Sequence, residues 1–260
     1  MAKYMCPQCY TAVKEDEKFC MNCGANLEIV GRVQVDATPE ITTSPTEPII
    51  DDASGFRVTM LSMTTNEQEV REIKTGSIVV GRGNGDWIVD DPSMSPRHAM
   101  LTVRGSTLQV NDLNSLNGVY QKILEPTPLK DDEYLLIGTT YMRFEKINVP
   151  DDFTPLMYMV SKDRYPVATL TMVLSGCRDG EVHPVDRLPF TIGREFGDLK
   201  LPADRFLSHS HCGLIKLGSG IGIEDADSTN GTFIKIREKA VLQHGDWLYM
   251  GRYLFKVESL

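Results

Sequence analysis

Apolar residues in this chain come in short bursts separated by Gly, Asp, Asn and Pro. Residues 78–80, 100–103, 108–110, 134–137 and 141–144 form one series, and 190–192, 214–217, 233–236 and 253–257 form another. Bursts of this length between turn-forming residues predict β-strands. No long segment carries apolar residues at the three-and-four spacing of a helix face. Roughly ten short strands in about ninety residues predict a β-sandwich whose end loops can hold a binding site. The longest apolar run, residues 167–174, is interrupted by Thr and falls far short of a bilayer span.

The two series are copies of each other. Thr59-Met60-Leu61 matches Thr171-Met172-Val173, Glu69-Val70 matches Glu181-Val182, and Gly81-Arg82 matches Gly193-Arg194, all at an offset of 112. After one inserted residue, Ser95/Ser208, His98/His211, Asn117-Gly118/Asn230-Gly231 and Gly138/Gly251 stand at an offset of 113. A single insertion across so many matches implies a duplicated domain. The repeats are placed at 56–148 and 167–260, with 149–166 joining them. Residues 29–55 are rich in Pro, Thr, Asp and Glu, which predicts a flexible linker.

Residues 1–28 are too few to bury a core of their own. They carry Cys6-x2-Cys9 and Cys20-x2-Cys23, and Gly24 permits the left-handed turn that such knuckles use. Two C-x2-C pairs suit tetrahedral thiolate coordination of one structural Zn2+, whose binding would drive folding. Disulfides or a thioredoxin-like redox pair are the alternatives, and no βαβ pattern surrounds the motif to favour the latter. Cys177 and Cys212 are isolated and are expected to be small buried apolar residues.

The chain has 260 residues and a net charge of −9. That charge disfavours a surface built to neutralise nucleic-acid backbones. In the ribbon, Lys3, Lys14 and Lys18 are offset by Glu15, Asp16, Glu17 and Glu28, so no basic patch forms. The sequence after Met1 lacks a signal-peptide pattern, and a cytoplasmic location without membrane association is expected.

Outside the strands, each repeat has Gly-Arg at a strand end, Ser-x-x-His further on and an Asn-Gly turn after that. The second repeat reads Gly193-Arg194, Ser208-His209-Ser210-His211 and Asp227-Ser228-Thr229-Asn230-Gly231. The first reads Gly81-Arg82, Ser95-Pro96-Arg97-His98 and Asn114-Ser115-Leu116-Asn117-Gly118. This constellation resembles the forkhead-associated (FHA) family, whose β-sandwiches bind phosphothreonine peptides through loops at one end. The resemblance implies an all-β protein: two FHA-type sandwiches in tandem, preceded by a zinc ribbon and a linker.

The chemistry is consistent with that implication. A phosphothreonine carries nearly two negative charges and three strong acceptor oxygens. Arg194 and Arg82 offer permanently charged planar donors, and the hydroxyls of Ser208, Thr229 and Ser95 can approach closely. Asn230 and Asn117 can grip an extended peptide backbone with both donors and an acceptor. By family analogy His211, His98, Gly231 and Gly118 shape the loops. A Ser-x-x-His spacing also allows a nucleophile and base, but no third orienting group is evident. Walker A, H-E-x-x-H and G-x-S-x-G are absent, so a non-enzymatic role is expected.

The repeats are unequal. The second keeps Arg, Ser, Thr and Asn, with His209 as an additional donor. The first has Pro96 and Leu116 at the matching positions, with Arg97 one place later as a substitute cation. In the linker, Thr42-Thr43-Ser44 resembles the kinase-target segment of small bacterial FHA regulators, which implies an intramolecular ligand. The expected role is a phosphothreonine-reading adaptor whose partners are phosphothreonine proteins and a Ser/Thr kinase. A nucleic-acid-associated regulator and a phosphorylation-independent scaffold are the alternatives.

Overall fold

The computed structural model describes residues 3–5, 12–18, 27–30, 33–35, 55–147 except 66 and 84, and 165–260 except 176. Cys6, Cys9, Cys20 and Cys23, together with Thr42 and Thr43, lie outside the described residues. Near the N-terminus are β1 (Lys3–Met5), β2 (Ala12–Val13), a single helical turn α1 (Leu27–Val30) and β3 (Val33–Val35). Strand β1 pairs antiparallel with both β2 and β3. Strand β3 falls inside the segment whose composition predicts a linker.

The first repeat forms β4 (Phe56–Ser62), β5 (Gln68–Ile73), β6 (Gly76–Gly81), β7 (Trp87–Ile88) and β8 (Ala99–Arg104). It continues through β9 (Thr107–Asp112), β10 (Val119–Lys122), β11 (Thr127–Pro128), β12 (Glu133–Ile137) and β13 (Thr140–Lys146). The second repeat forms β14 (Ala168–Leu174), β15 (Arg178–Val185), β16 (Phe190–Gly193), β17 (Leu199–Lys200) and β18 (Cys212–Leu217). It ends with β19 (Gly220–Asp225), β20 (Thr232–Lys235), β21 (Lys239–Leu242), β22 (Trp247–Met250) and β23 (Tyr253–Ser259). The fold is all-β, and every predicted apolar burst lies in a strand, with Ile236 just beyond β20.

The repeats at 56–148 and 167–260 are not the compact units. One unit comprises Met1–Val119 with Ile236–Leu260, and the other is Tyr120–Lys235. Each sandwich therefore takes its last strands from the opposite repeat. In the first unit, β23 of repeat two pairs antiparallel with β4 of repeat one, from Tyr253 opposite Ser62 to Ser259 opposite Phe56. Its second layer is β21-β9-β8-β6-β7, where β21 again comes from repeat two. In the second unit, β13 of repeat one pairs with β14 of repeat two, and β11 of repeat one pairs with β19.

The cores show the same exchange. Trp87 and Phe255 meet edge to face with ring centroids 5.5 Å apart, inside a cluster that mixes Val58, Leu101 and Val110 with Leu248 and Val257. The second core joins Leu135, Met142 and Phe144 to Leu170, Ile192 and Leu214. Exchange of this kind is compatible with both sandwiches because the terminal strands alternate alike. Met142 and Phe144 point into one core as Phe255 and Val257 point into the other.

Cys212 is buried, as expected, and burial pushes its thiol up to about 12. Cys177 is exposed, contrary to expectation. It sits in the turn between β14 and β15 with a φ of 56°, so it has no core to enter.

Candidate functional site

In the second unit, the candidate side chains gather where three loops meet. Arg194 directly follows β16, and its backbone N–H donates to Ser208 O at 2.9 Å. Phe196 N donates to His209 O at 3.0 Å, which draws this loop against the Ser208–His209 segment. The approach is so close that a Cβ on Gly193 would collide with the carbonyl oxygens of His209 and Phe196. That explains the Gly before the Arg. Gly81 has the same relation to Pro96 O in the first unit.

The third loop is fastened by hydroxyls and a carboxylate. Thr229 N donates to Ser208 Oγ at 3.0 Å, and Ser208 Oγ lies 3.5 Å from Thr229 Oγ1. Asn230 Nδ2 donates to Phe206 O at 2.7 Å. One amide hydrogen and the amide carbonyl of Asn230 remain for a ligand. Below the turn, Ser228 N and Oγ both donate to the Asp225 carboxylate, and Thr232 Oγ1 donates to it at 2.6 Å. Gly231 follows with a φ of 84°, a left-handed conformation that favours glycine.

His211 joins two of these loops from beneath. Its Nδ1 accepts from Ser208 N at 3.1 Å, so Nε2 carries the hydrogen and donates to Gly231 O at 3.2 Å. The ring is fully buried, and burial lowers its pKa despite the favourable contact with Gly231. His98 makes the same bridge in the first unit, accepting from Ser95 N at 3.1 Å and donating to Gly118 O at 3.0 Å. Burial lowers its pKa too.

Around the second site, Arg194 Nη2 lies 3.4 Å from His209 Nε2. Glu195 completes a triangle that the sequence did not suggest. Its carboxylate stands 3.5 Å from Arg194 Nε and 3.1 Å from His209 Nδ1. The matching residue in the first repeat is Gly83, so the repeat pattern carries no trace of this carboxylate. Phe196, largely exposed, stacks obliquely beside His209 at 6.2 Å.

The first unit assembles the same frame with different chemistry. Arg82 N donates to Ser95 O at 2.9 Å, Leu116 N donates to Ser95 Oγ at 2.9 Å, and Asn117 Nδ2 donates to Ser93 O at 2.7 Å. Where Thr229 offers a hydroxyl, Leu116 presents an apolar side chain that is 74% exposed. Arg97 turns its Nε inward, where it is buried without a hydrogen-bond partner.

Among the described residues, no group of three or more His, Cys, Asp and Glu side chains could hold a metal ion. The cysteine ligand set lies outside them, and its two C-x2-C pairs fit one tetrahedral Zn2+ by donor chemistry. No helix among the described residues is long and apolar enough to cross a membrane.

Two sandwiches bearing matching loop constellations make a tandem repeat of one β-sandwich domain, and comparison with known families identifies that domain. The FHA domain profile matches residues 78–138 and 190–251, and a zinc-ribbon domain profile matches residues 5–27. The chain belongs to the FHA-domain proteins, with two FHA domains and an N-terminal zinc ribbon. No curated protein matches it. Among solved structures, it is similar to the FHA domain of the CT664 protein from Chlamydia trachomatis at 12% identity. That match covers 78% of this chain and 96% of the other, with a TM-score of 0.33. A structure from work on phosphothreonine-dependent FHA domain interactions matches at 13% identity, covering 78% and 95%, with a TM-score of 0.30. Mycobacterium tuberculosis EmbR in complex with a low-affinity phosphopeptide matches at 20% identity, covering 33% of this chain and 26% of that one, with a TM-score of 0.19.

Proposed function

We propose that this protein is a non-enzymatic adaptor that binds phosphothreonine peptides, with the second unit as its principal reader, acting downstream of a Ser/Thr kinase. The observation that carries this reading is the convergence of Arg194, Ser208, Thr229 and Asn230 on one end of a single sandwich. A permanent cation, two hydroxyls and a half-used amide match the needs of a dianionic phosphate on an extended peptide. Nothing in that set supplies a nucleophile activated by a base, because His211 spends both ring nitrogens on backbone groups.

The decisive experiment titrates a degenerate phosphothreonine peptide pool and its unphosphorylated counterpart into the full chain. Binding of the phosphorylated pool alone is expected, with Arg194→Ala weakening it about a hundredfold. Equal binding of both pools would favour a phosphorylation-independent scaffold, and a salt-sensitive shift with nucleic acid would favour a ribbon-based regulator. Within the same reading, Thr42 and Thr43 in the linker are kinase targets, and the modified segment competes for a pocket. Kinase-treated protein should then bind the external pool more weakly, and Thr42→Ala with Thr43→Ala should restore binding.

A further inference from the structure

Each pocket loop is fastened to the tip of a hairpin that belongs to the other repeat. In the second unit, the β12–β13 turn of repeat one reaches Asp204, at the head of the loop that carries Ser208 and His209. Thr139 N and Thr140 Oγ1 donate to Asp204 Oδ2 at 2.7 and 2.8 Å. The other carboxylate oxygen accepts from Phe206 N at 3.0 Å, and Phe206 O accepts from Asn230 Nδ2 at 2.7 Å. A hydrogen-bonded line therefore runs from Thr140 of repeat one to Asn230 in the pocket of repeat two.

The first unit has the reciprocal line. Arg252, in the β22–β23 turn of repeat two, donates from Nε to Asp91 Oδ2 at 2.8 Å. Asp91 Oδ1 accepts from Ser93 N at 2.7 Å and from Ser93 Oγ, and Ser93 O accepts from Asn117 Nδ2 at 2.7 Å. Asp91 and Asp204 are both nearly inaccessible to solvent, so their carboxylates depend on these donors. The hairpin tips approach closely as well. A Cβ on Gly138 would stand 2.8 Å from Asp204 Oδ2, and one on Gly251 would stand 2.7 Å from Met94 Sδ.

We infer that Thr140 of the first repeat is a positioning residue for the second pocket, and Arg252 of the second repeat for the first, so that neither repeat contains a complete site. Lys122 strengthens the dependence in the second unit. It comes from β10 of repeat one and packs against Gly231, beside Asn230. A fragment cut at the repeat boundary would keep its Arg, Ser and Asn but lose the hairpin that holds the Ser loop in place. The binding part of this inference rests on the phosphothreonine reading. The strand exchange does not.

The test separates the two. In full-length protein carrying Cys177→Ser, cysteine pairs are introduced and oxidised, and the crosslinks are mapped by peptide mass spectrometry. Arg57 faces Glu258 across β4 and β23, and Thr169 faces Glu145 across β14 and β13. Cross-strand neighbours at this spacing can form a disulfide. Arg57→Cys should link to Glu258→Cys and not to Glu145→Cys. The opposite result would show that each repeat closes on itself and would overturn the inference.

For positioning, the labelled phosphothreonine pool is titrated into Arg82→Ala protein, where the second pocket dominates. Thr140→Val should weaken binding about tenfold, while Thr140→Ser, which keeps the hydroxyl, should not. Unchanged affinity in Thr140→Val would overturn the positioning role. If even the unmodified protein ignores the pool, the phosphothreonine reading fails, and hydrogen exchange then tests the line on its own. Thr140→Val should speed exchange at residues 204–211 and leave residues 91–98 unaffected. Equal rates would refute it.

Discussion

The two pockets share one frame and differ in what they present on it. In both, a buried His ties the Ser loop to the Asn-Gly turn, and an Asp carboxylate anchors that turn from below. On that frame the second pocket carries Thr229, His209 and Glu195 where the first carries Leu116, Pro96 and Gly83. Duplication has thus preserved the hydrogen bonds that shape the loops while other positions on the same loops have diverged. The lesson is that loop architecture and ligand chemistry are separable here. A pocket can keep its shape after losing donors.

Grafting the donors is the strongest challenge to that separation. Thr229→Leu should lower the affinity of the second pocket for the phosphothreonine pool about tenfold, the worth of a hydroxyl bonded to a charged acceptor. The converse Leu116→Thr should raise binding by the first pocket, measured in an Arg194→Ala background. If neither exchange moves affinity, the ligand does not lie over these turns and the comparison loses its chemical meaning.

A smaller effect is expected from Glu195. Under the proposed function its carboxylate would compete with a phosphate for Arg194 and His209, and all three side chains are at least partly exposed to solvent. Glu195→Gln should strengthen phosphopeptide binding about threefold at low salt, with the gain shrinking as salt screens the pair. Weaker binding in this variant would mean that Glu195 orients Arg194 instead of competing with the ligand.

The least effect concerns what the pockets have in common. Burial holds the pKa values of His98 and His211 below the ordinary 6.5 in the folded protein. The unfolded chain therefore takes up protons first as pH falls. Stability is full above about 6.5 and declines from there down through the folded values. The thermal midpoint should drop by about a few degrees between about pH 7.5 and about pH 5.5. Nε2–H tautomers visible by nitrogen NMR in both rings would confirm that the bridges are equivalent. A midpoint that rises on acidification would contradict the bridge geometry.

Much of this protein is legible along the chain. The apolar bursts located the strands, because alternate residues of a half-buried strand must face a core. The repeated Gly-Arg, Ser-x-x-His and Asn-Gly located the loops, because close backbone approach and a left-handed turn restrict those positions to few residue types. The role of Glu195 was not legible, since a carboxylate beside an Arg acquires meaning only once His209 is folded onto it. The partner of each hairpin was not legible either. Strands β13 and β23 bury alternate residues in the same rhythm, and Gly138 and Gly251 turn their tips alike, so either hairpin satisfies either sandwich locally. The chain itself dictates two β-sandwiches, their strands and the loops that carry the candidate residues. Only the tertiary structure decided that each sandwich is closed by the other repeat, because strand pairing depends on the path of the whole chain and not on any local pattern.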